Sequence, residues 1–249
     1  MAIASSPYDF LEPPDVTRGN VTSAVTDRLR RAIVTLELRP GEVLDKGAIC
    51  DRLAVSRFPV SEAFARLQTE GLVDIQPQRG STVSLVRLAE VSEHFLIRKA
   101  LECEALRVLI GNHPVDLVGK LEANLAAQRA ANERDDHEAF HQLDLDFHDL
   151  MFTSMRFDKI RVVIESARAN IDRARRLVST PRRLAVTIGE HRAIVDAIAA
   201  ADAAGAQTAM RTHLDAVMHE VFALAQSHPE FFADVVRDPA PAGPDFPFG

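Results

Sequence analysis

The apolar positions of this chain change their period twice. Over residues 17–38 they fall at Val21, Val25, Leu29, Ile33 and Leu36, close to 3.6 residues apart, which predicts a helix. Arg39-Pro40-Gly41 ends it as a turn. Asp45 is placed to cap a second, short helix that runs to about Leu53. After the tight Ala54-Val55-Ser56 connection, Ser56 stands as N-cap of a third helix. Pro59 then falls in its first turn, where a missing N–H costs nothing. Val60, Phe64 and Leu67 form the apolar stripe of that helix, and Gly71 stops it. The period then drops to alternation: residues 72–76 and 81–86 read as two strands around Pro77-Gln78-Arg79-Gly80. From Leu88 to about Ser227 the spacing is helical throughout. Breaks near 111–114, 132–136, 154–157, 179–181 and 203–205 give about six helices. Residues 1–16 and 229–249 hold prolines without any period and read as a flexible arm and a loose tail.

The pattern therefore predicts a mainly α protein. A three-helix unit with a hairpin occupies 17–87, and an all-helical domain occupies 88–228. A length of 249 residues accommodates two such domains. Cys50 and Cys103 have neither metal-ligand nor redox spacing and fit free, buried thiols in a reducing compartment. No apolar run approaches the roughly 20 residues of a membrane span, and the N-terminus lacks a leader pattern. A cytoplasmic, nucleoid-associated protein is expected. The net charge of -7 changes this picture only when read by region. Residues 17–87 hold 11 Lys and Arg against 8 Asp and Glu, so the acidity lies elsewhere and the first unit can meet phosphates.

That unit has the lengths of a helix-turn-helix followed by a wing. Its apolar stripe would hold the third helix inward and leave the opposite face free for a major groove. Arg57 lies on the first turn of that helix, where a guanidinium can grip guanine with two hydrogen bonds. Ser56, Ser61 and the N–H groups of the helix start can hold phosphate. Arg79 and Gly80 at the hairpin tip could reach the DNA backbone or minor groove. Spacing alone equally fits an ordinary small domain with a solvated arginine.

Specific residues go further. Leu38-Arg39-Pro40-Gly41, Leu53-Ala54-Val55-Ser56-Arg57, Pro59-Val60, Glu62-Ala63-Phe64, Arg66-Leu67, Glu70-Gly71-Leu72-Val73 and Arg79-Gly80 together resemble the winged helix of the GntR bacterial transcription regulators. The resemblance implies binding to double-stranded DNA. It departs at Ser61, where the family usually has Arg, and at Asp45-Lys46-Gly47, where it often has an acidic or Glu-Arg start. Each lost cation removes about one released counterion. Phe58, next to Arg57, could press on a thymine methyl instead.

In the second domain the informative stretch is HEAFHQLDLDFHDLMF, 137–152. His137, His141, Asp144 and His148 fall on one side of a helix beside an apolar stripe of Phe140, Leu143, Phe147 and Leu150. Asp144 and His148 stand one turn apart, close enough to share an ion. Two ligands are too few for a tight site, but His191 and His213 also have apolar flanks, and a bundle can bring such residues together. Imidazoles with one carboxylate suit a divalent ion, zinc foremost, and also nickel, manganese or iron. A single histidine by an apolar face is more often a satisfied core residue.

Arg98-x-x-Leu101-Glu102, Asp144-x-x-Phe147-His148, Glu190-His191-x-x-Ile194 and His213-Leu214 resemble the FCD effector domain of the FadR branch of the same family. That resemblance implies that Asp144, His148, His191 and His213 hold one divalent ion that receives a small carboxylate effector. It matches Arg98 to an arginine on the first effector-domain helix. Asn170 and Arg173, on a later helix, and His141 are expected to face the effector pocket. The reading is a homodimeric, ligand-responsive regulator of an inverted-repeat operator, not an enzyme. A mononuclear metalloenzyme is the rival, but no motif supplies a separate general base. A di-iron bundle would need two Glu-x-x-His elements, and only Glu138 to His141 is found. A purely structural ion would predict a closed site.

Overall fold

The computed structural model describes residues 7–13, 21–112, 114–166 and 168–235; the side chains of 165–170 lie outside the described set. The first unit is built from α1 (Val21–Val34), β1 (Val43–Leu44), α2 (Lys46–Leu53), α3 (Arg57–Thr69), β2 (Val73–Gln76) and β3 (Gly80–Val83). The second consists of α4 (Leu88–Leu109), α5 (Leu117–Glu133), α6 (His137–Ser154), α7 (Asp158–Ser166), α8 (Arg168–Leu177), α9 (Pro181–Ala199) and α10 (Ala203–Ser227).

In the first unit α1 stops at Val34, earlier than the apolar period suggests. Leu36 adopts a positive φ of 65°, and the chain turns so that Leu38 is buried by a different route. Asp45 caps α2 as its position implies, with Oδ1 accepting from the N–H groups of Gly47 and Ala48 at 2.8 and 3.0 Å. Val25, Leu29, Ile49, Val60, Phe64 and Leu67 close one core between the three helices. Burial of each large side chain there contributes about 1.5–3 kcal/mol. The hairpin expected at 72–86 is present and gains a third strand: β1 pairs antiparallel with β3, giving the order β1-β3-β2. A strand of two residues is too short to show alternation.

Two peripheral expectations change. The arm expected to be flexible lies, over residues 7–13, against the winged helix. Tyr8 and Leu11 join its core, and the Tyr8 hydroxyl accepts from the Asp45 N–H at 2.8 Å. Arg52 holds the carbonyls of Tyr8 and Asp9. The start of the tail expected to be loose is also docked. Phe232 is buried and bridges Val86 in parallel, and the Asp234 carboxylate accepts from the N–H groups of Leu88 and Ala89 at the start of α4. A prolyl, aperiodic stretch can still be fixed when single aromatic residues find a groove. Residues 1–6, 14–20 and 236–249 lie outside the described residues.

The second unit has seven helices among the described residues, one more than the spacing suggests, because the stretch read as one helix divides into α7 and α8. The last break also falls earlier: Ala201 turns at φ 53° and Asp202 caps α10, which then runs through Gly205. α10 packs between α4 and α9, while α5 packs on α6 and α9. Leu106, Leu121, Phe147, Ile194, Leu214 and Val221 lie in their shared core. α8 touches α1 of the first unit as well as α4 and α10.

Candidate metal centre and nucleic-acid interface

α6, α9 and α10 bring Asp144, His148, His191 and His213 to one buried point. One ligand atom from each lies within 4.8 Å of all the others. The His191 and His213 ring centroids are 4.6 Å apart, and those of His148 and His213 5.3 Å. The i, i+4 spacing of Asp144 and His148 puts both on the inner face of α6 beside buried Phe147, which stacks on His191 at 4.0 Å.

The outer nitrogens of the three rings are each held. His148 Nδ1 lies 2.6 Å from Glu102 Oε2, His191 Nδ1 3.0 Å from Gln128 Oε1, and His213 Nδ1 2.7 Å from Glu190 Oε2. These acceptors are themselves fixed. Arg98 Nε donates to Glu102 at 2.6 Å, Gln128 donates to Asn124 at 2.7 Å, and Arg183 grips Glu190 with two hydrogen bonds of 2.8 and 2.9 Å. A ring that donates from Nδ1 keeps its lone pair on Nε2. The Nε2 atoms of His148, His191 and His213 are buried without a hydrogen-bond partner, as is Asp144 Oδ1. Four orphaned ligand atoms around one point are costly for a fold to keep, and they fit a divalent cation.

The electrostatics agree. Burial, reinforced by the neighbouring rings, pushes His191 and His213 well below the ordinary imidazole value, so both stay neutral and able to ligate. Burial alone would raise the Asp144 carboxyl, but the Arg175 guanidinium beside it outweighs burial and holds the group well below the usual carboxylate range. The same contest at Glu102 is won by Arg98 and His148.

The expected pocket residues divide. Arg98 lines a cleft of about 250 Å³ together with His148, Asp149, Phe152, Arg161 and Asp172, so of the four cluster residues His148 borders this space. His141 is buried beside a second, smaller space next to Asp144, with its Nε2 3.5 Å from Asp172 Oδ2. The side chain of Asn170 lies outside the described residues. Arg173 does not face either space: it is fully buried and donates to the Ser84 carbonyl of the first unit. The arginine that does reach the cluster is Arg175, whose Nη2 is 2.5 Å from Asp144 Oδ2. It falls in register with Ile171, Ala174 and Val178, so a cation inside an apolar stripe was the available signal. Gln128 had no comparable signal.

At the other end of the molecule α3 turns its apolar side inward, leaving Arg57, Phe58, Glu62 and Ala65 exposed. Phe58 is 71% exposed. Ser56 takes the extended N-cap backbone but forms no side-chain cap bond, contrary to the capping role expected for it. Ser61 donates back to the Arg57 carbonyl at 2.9 Å. Arg79 and Gly80 sit exposed at the wing tip, where Gln78 and Gly80 have φ of 65° and 96°. Among the described residues the Arg57 and Arg79 side chains form no hydrogen bond or ion pair, and both are aimed at solvent.

A winged helix-turn-helix joined to a helical domain with a buried His/Asp cluster defines a DNA-binding regulator with a second, separate site. Residues 21–83 match the bacterial regulatory proteins of the gntR family, and residues 93–216 match the FCD domain. The chain is 36% identical over 207 residues to an HTH-type transcriptional regulator in an unstable DNA locus of Streptomyces ambofaciens, covering 83% of this chain and 87% of that one. It is 34% identical over 210 residues to the HTH-type transcriptional repressor RspR of Escherichia coli K12, covering 83% and 91%. Its fold is similar to that of a GntR transcriptional regulator from Rhodococcus sp. RHA1, with a TM-score of 0.68 at 23% identity over 82% of this chain and 99% of that one. It is also similar to E. coli McbR/YncC, with a TM-score of 0.64 at 21% identity over 85% and 99%. The chain belongs to the GntR family and carries an FCD domain: it is a DNA-binding transcriptional regulator and not an enzyme. No helix among the described residues is long and apolar enough to cross a membrane.

Proposed function

We propose that the protein is a metal-dependent, effector-responsive regulator. The observation that carries this reading is the convergence of four buried ligand atoms without hydrogen-bond partners, on histidine rings oriented by outer acceptors and on Asp144. Asp144, His148, His191 and His213 would hold the ion, with zinc the first candidate. A divalent ion there supplies a Lewis-acidic anchor for a carboxylate oxygen. The cleft on the His148 side favours such a ligand over a closed structural ion, since it gives a small organic acid an approach beside Arg98. His141 and Arg175 would act from the opposite side of Asp144.

On DNA, Arg57 would read a base edge from the major groove, with Phe58 against a thymine methyl. Ser56, Ser61, Arg79 and Gly80 would contact the backbone. A second copy would supply the second head for an inverted repeat. Its seat would be the exposed apolar side chains Leu96 and Ile97 of α4 and Val162 and Val163 of α7, two helices that pack together, with Leu96 and Val162 exposed at 63% each. The name of the E. coli relative points to repression as the sign of control.

The test is a selection from a random duplex library with zinc-loaded protein at a stated salt concentration, followed by a screen of organic acids against the recovered site. An inverted repeat whose binding Arg57→Ala weakens, and an acid that alters binding only in the presence of zinc, are the expected results. A direct readout of copy number, sedimentation of Leu96→Glu, should give a monomer. Recovery of non-specific DNA only, or acid effects that survive chelation, would overturn the reading.

A further inference from the structure

α8 carries four charged side chains in the five positions 172–176, and each engages a different neighbour. Asp172 faces His141 at 3.5 Å, Arg175 is paired with Asp144 at 2.5 Å, and Arg176 donates to Glu138 of α6 at 2.7 Å. Arg173 points to the other side. Positions two apart on an α-helix differ by about 200° in direction, so Arg173 and Arg175 must leave opposite sides of α8. One therefore touches the His/Asp cluster while the other touches the winged helix.

The contact of Arg173 lies at the root of the wing. Its Nη2 donates to the carbonyl of Ser84, one residue beyond β3, and the Ser84 N–H donates to the Leu72 carbonyl just before β2 at 3.0 Å. Ser84 thus belongs to the hydrogen-bond frame that sets the hairpin. Arg173 is fully buried, and its Nε and Nη1 have no hydrogen-bond partner. Burial lowers its proton affinity to about 10, against the opposing influence of Asp74 on β2. Stability does not explain a cation here, because an apolar side chain of similar length would fill the same space without desolvating a charge.

We propose that Arg173 is the positioning residue through which occupation of the His/Asp cluster reaches the wing, with α8 as the rigid connector. The inference rests on the reading of the cluster as a metal site. Asp144 is shared between that site and Arg175, so a ligand drawing on the carboxylate changes the hold of Arg175. α8 is a short helix of ten residues, and its far side moves with its near side. Arg173 then carries the displacement to Ser84 and the hairpin that bears Arg79.

Hydrogen exchange on the full chain tests this, with zinc alone as the probe. In the wild type, zinc should slow exchange in α6, α9 and α10 and change exchange across residues 72–86 several-fold. In Arg173→Met the protection of α6, α9 and α10 should remain, while the change at 72–86 is lost. Arg173→Gln, which keeps an amide donor without the charge, repeats the comparison if methionine is not tolerated. The proposal is overturned if 72–86 responds equally in wild type and variant. It is overturned too if zinc protects α6, α9 and α10 of the wild type and leaves the wing unchanged. Zinc that protects none of these helices would sink the cluster reading itself and this inference with it, and that result is distinguishable from the other two.

Discussion

The His/Asp cluster and the outward face of α3 are built on opposite plans. Each ring in the cluster is oriented by an acceptor, and each acceptor is fixed by a further hydrogen bond: Glu102 and Glu190 accept from arginines, and Gln128 donates to Asn124. On α3 the side chains proposed to read DNA are left without intramolecular bonds, apart from Ser61, which turns back on its own helix. The difference follows from where the ligand comes from. A single ion gains affinity from ligands already in place, because little ordering remains to oppose binding. A DNA surface supplies its own partners, and its side chains need only a rigid helix behind them. The cluster should therefore link binding to stability, whereas the DNA face should not.

The largest effect that would sharpen this contrast is on the metal. At a zinc concentration of about 100 times the dissociation constant, binding should stabilise the chain by about 2.7 kcal/mol. His213→Ala should abolish that increment, read as the difference between zinc-loaded and apo melting temperatures. Glu102→Gln is the next step down. It leaves all four ligands but weakens the hold on His148 Nδ1, and should cost about 10- to 100-fold in zinc affinity by calorimetry. An unchanged affinity would show the outer acceptors to be passive.

On the other side of the comparison, Arg57→Ala should weaken operator binding by about 1–3 kcal/mol. Its melting temperature should match the wild type, since the side chain is exposed and unpaired. A stability loss on the scale of a core mutant would break the contrast. The apo cluster also responds to pH. His191 and His213 are held neutral below their unfolded value of about 6.5, so lowering pH through that value charges them in the unfolded chain first. Stability of the apo protein should be fully present above about pH 6.5 and fall as pH drops below it, by at most about 1.4 kcal/mol per unit per ring. Denaturant midpoints at pH 7.5 and 5.5 would show it. The smallest effect is Ser61→Arg, which restores a cation to the DNA face. It should steepen the salt dependence of binding by about one counterion and leave stability unchanged.

Much of this was legible in the chain because periodicity and capping are local. Asp45 and Gly71 punctuate the first unit where the pattern puts them, and Asp144 with His148 announces a shared face by spacing alone. His191 and His213 stood out by their apolar flanks, but that they join Asp144 and His148 at one ion followed from the family resemblance, since nothing local says that α9 and α10 meet α6. The failures also have a common cause. Arg173 and Arg175 lie in one charged run, and which of them faces the cluster depends on how α8 is rotated against two domains at once. Tyr8 and Phe232 sit in aperiodic, proline-bearing stretches, and their burial is decided by grooves made elsewhere in the chain. Long-range placement of this kind leaves no trace in a local pattern.

The clasp of Asp234 on the N–H groups of Leu88 and Ala89 joins residues 146 and 145 positions apart. That distance has a meaning in time. On a ribosome adding about 5–20 residues per second, the winged helix is complete on the order of ten seconds before the segment that clamps its junction has been made. During that interval the DNA-binding unit can be folded while its orientation to the second domain is still unset. A chain translated as far as Asp234 can close this clasp on the start of α4, and from that point the junction between the two units is held by a residue of the C-terminal segment.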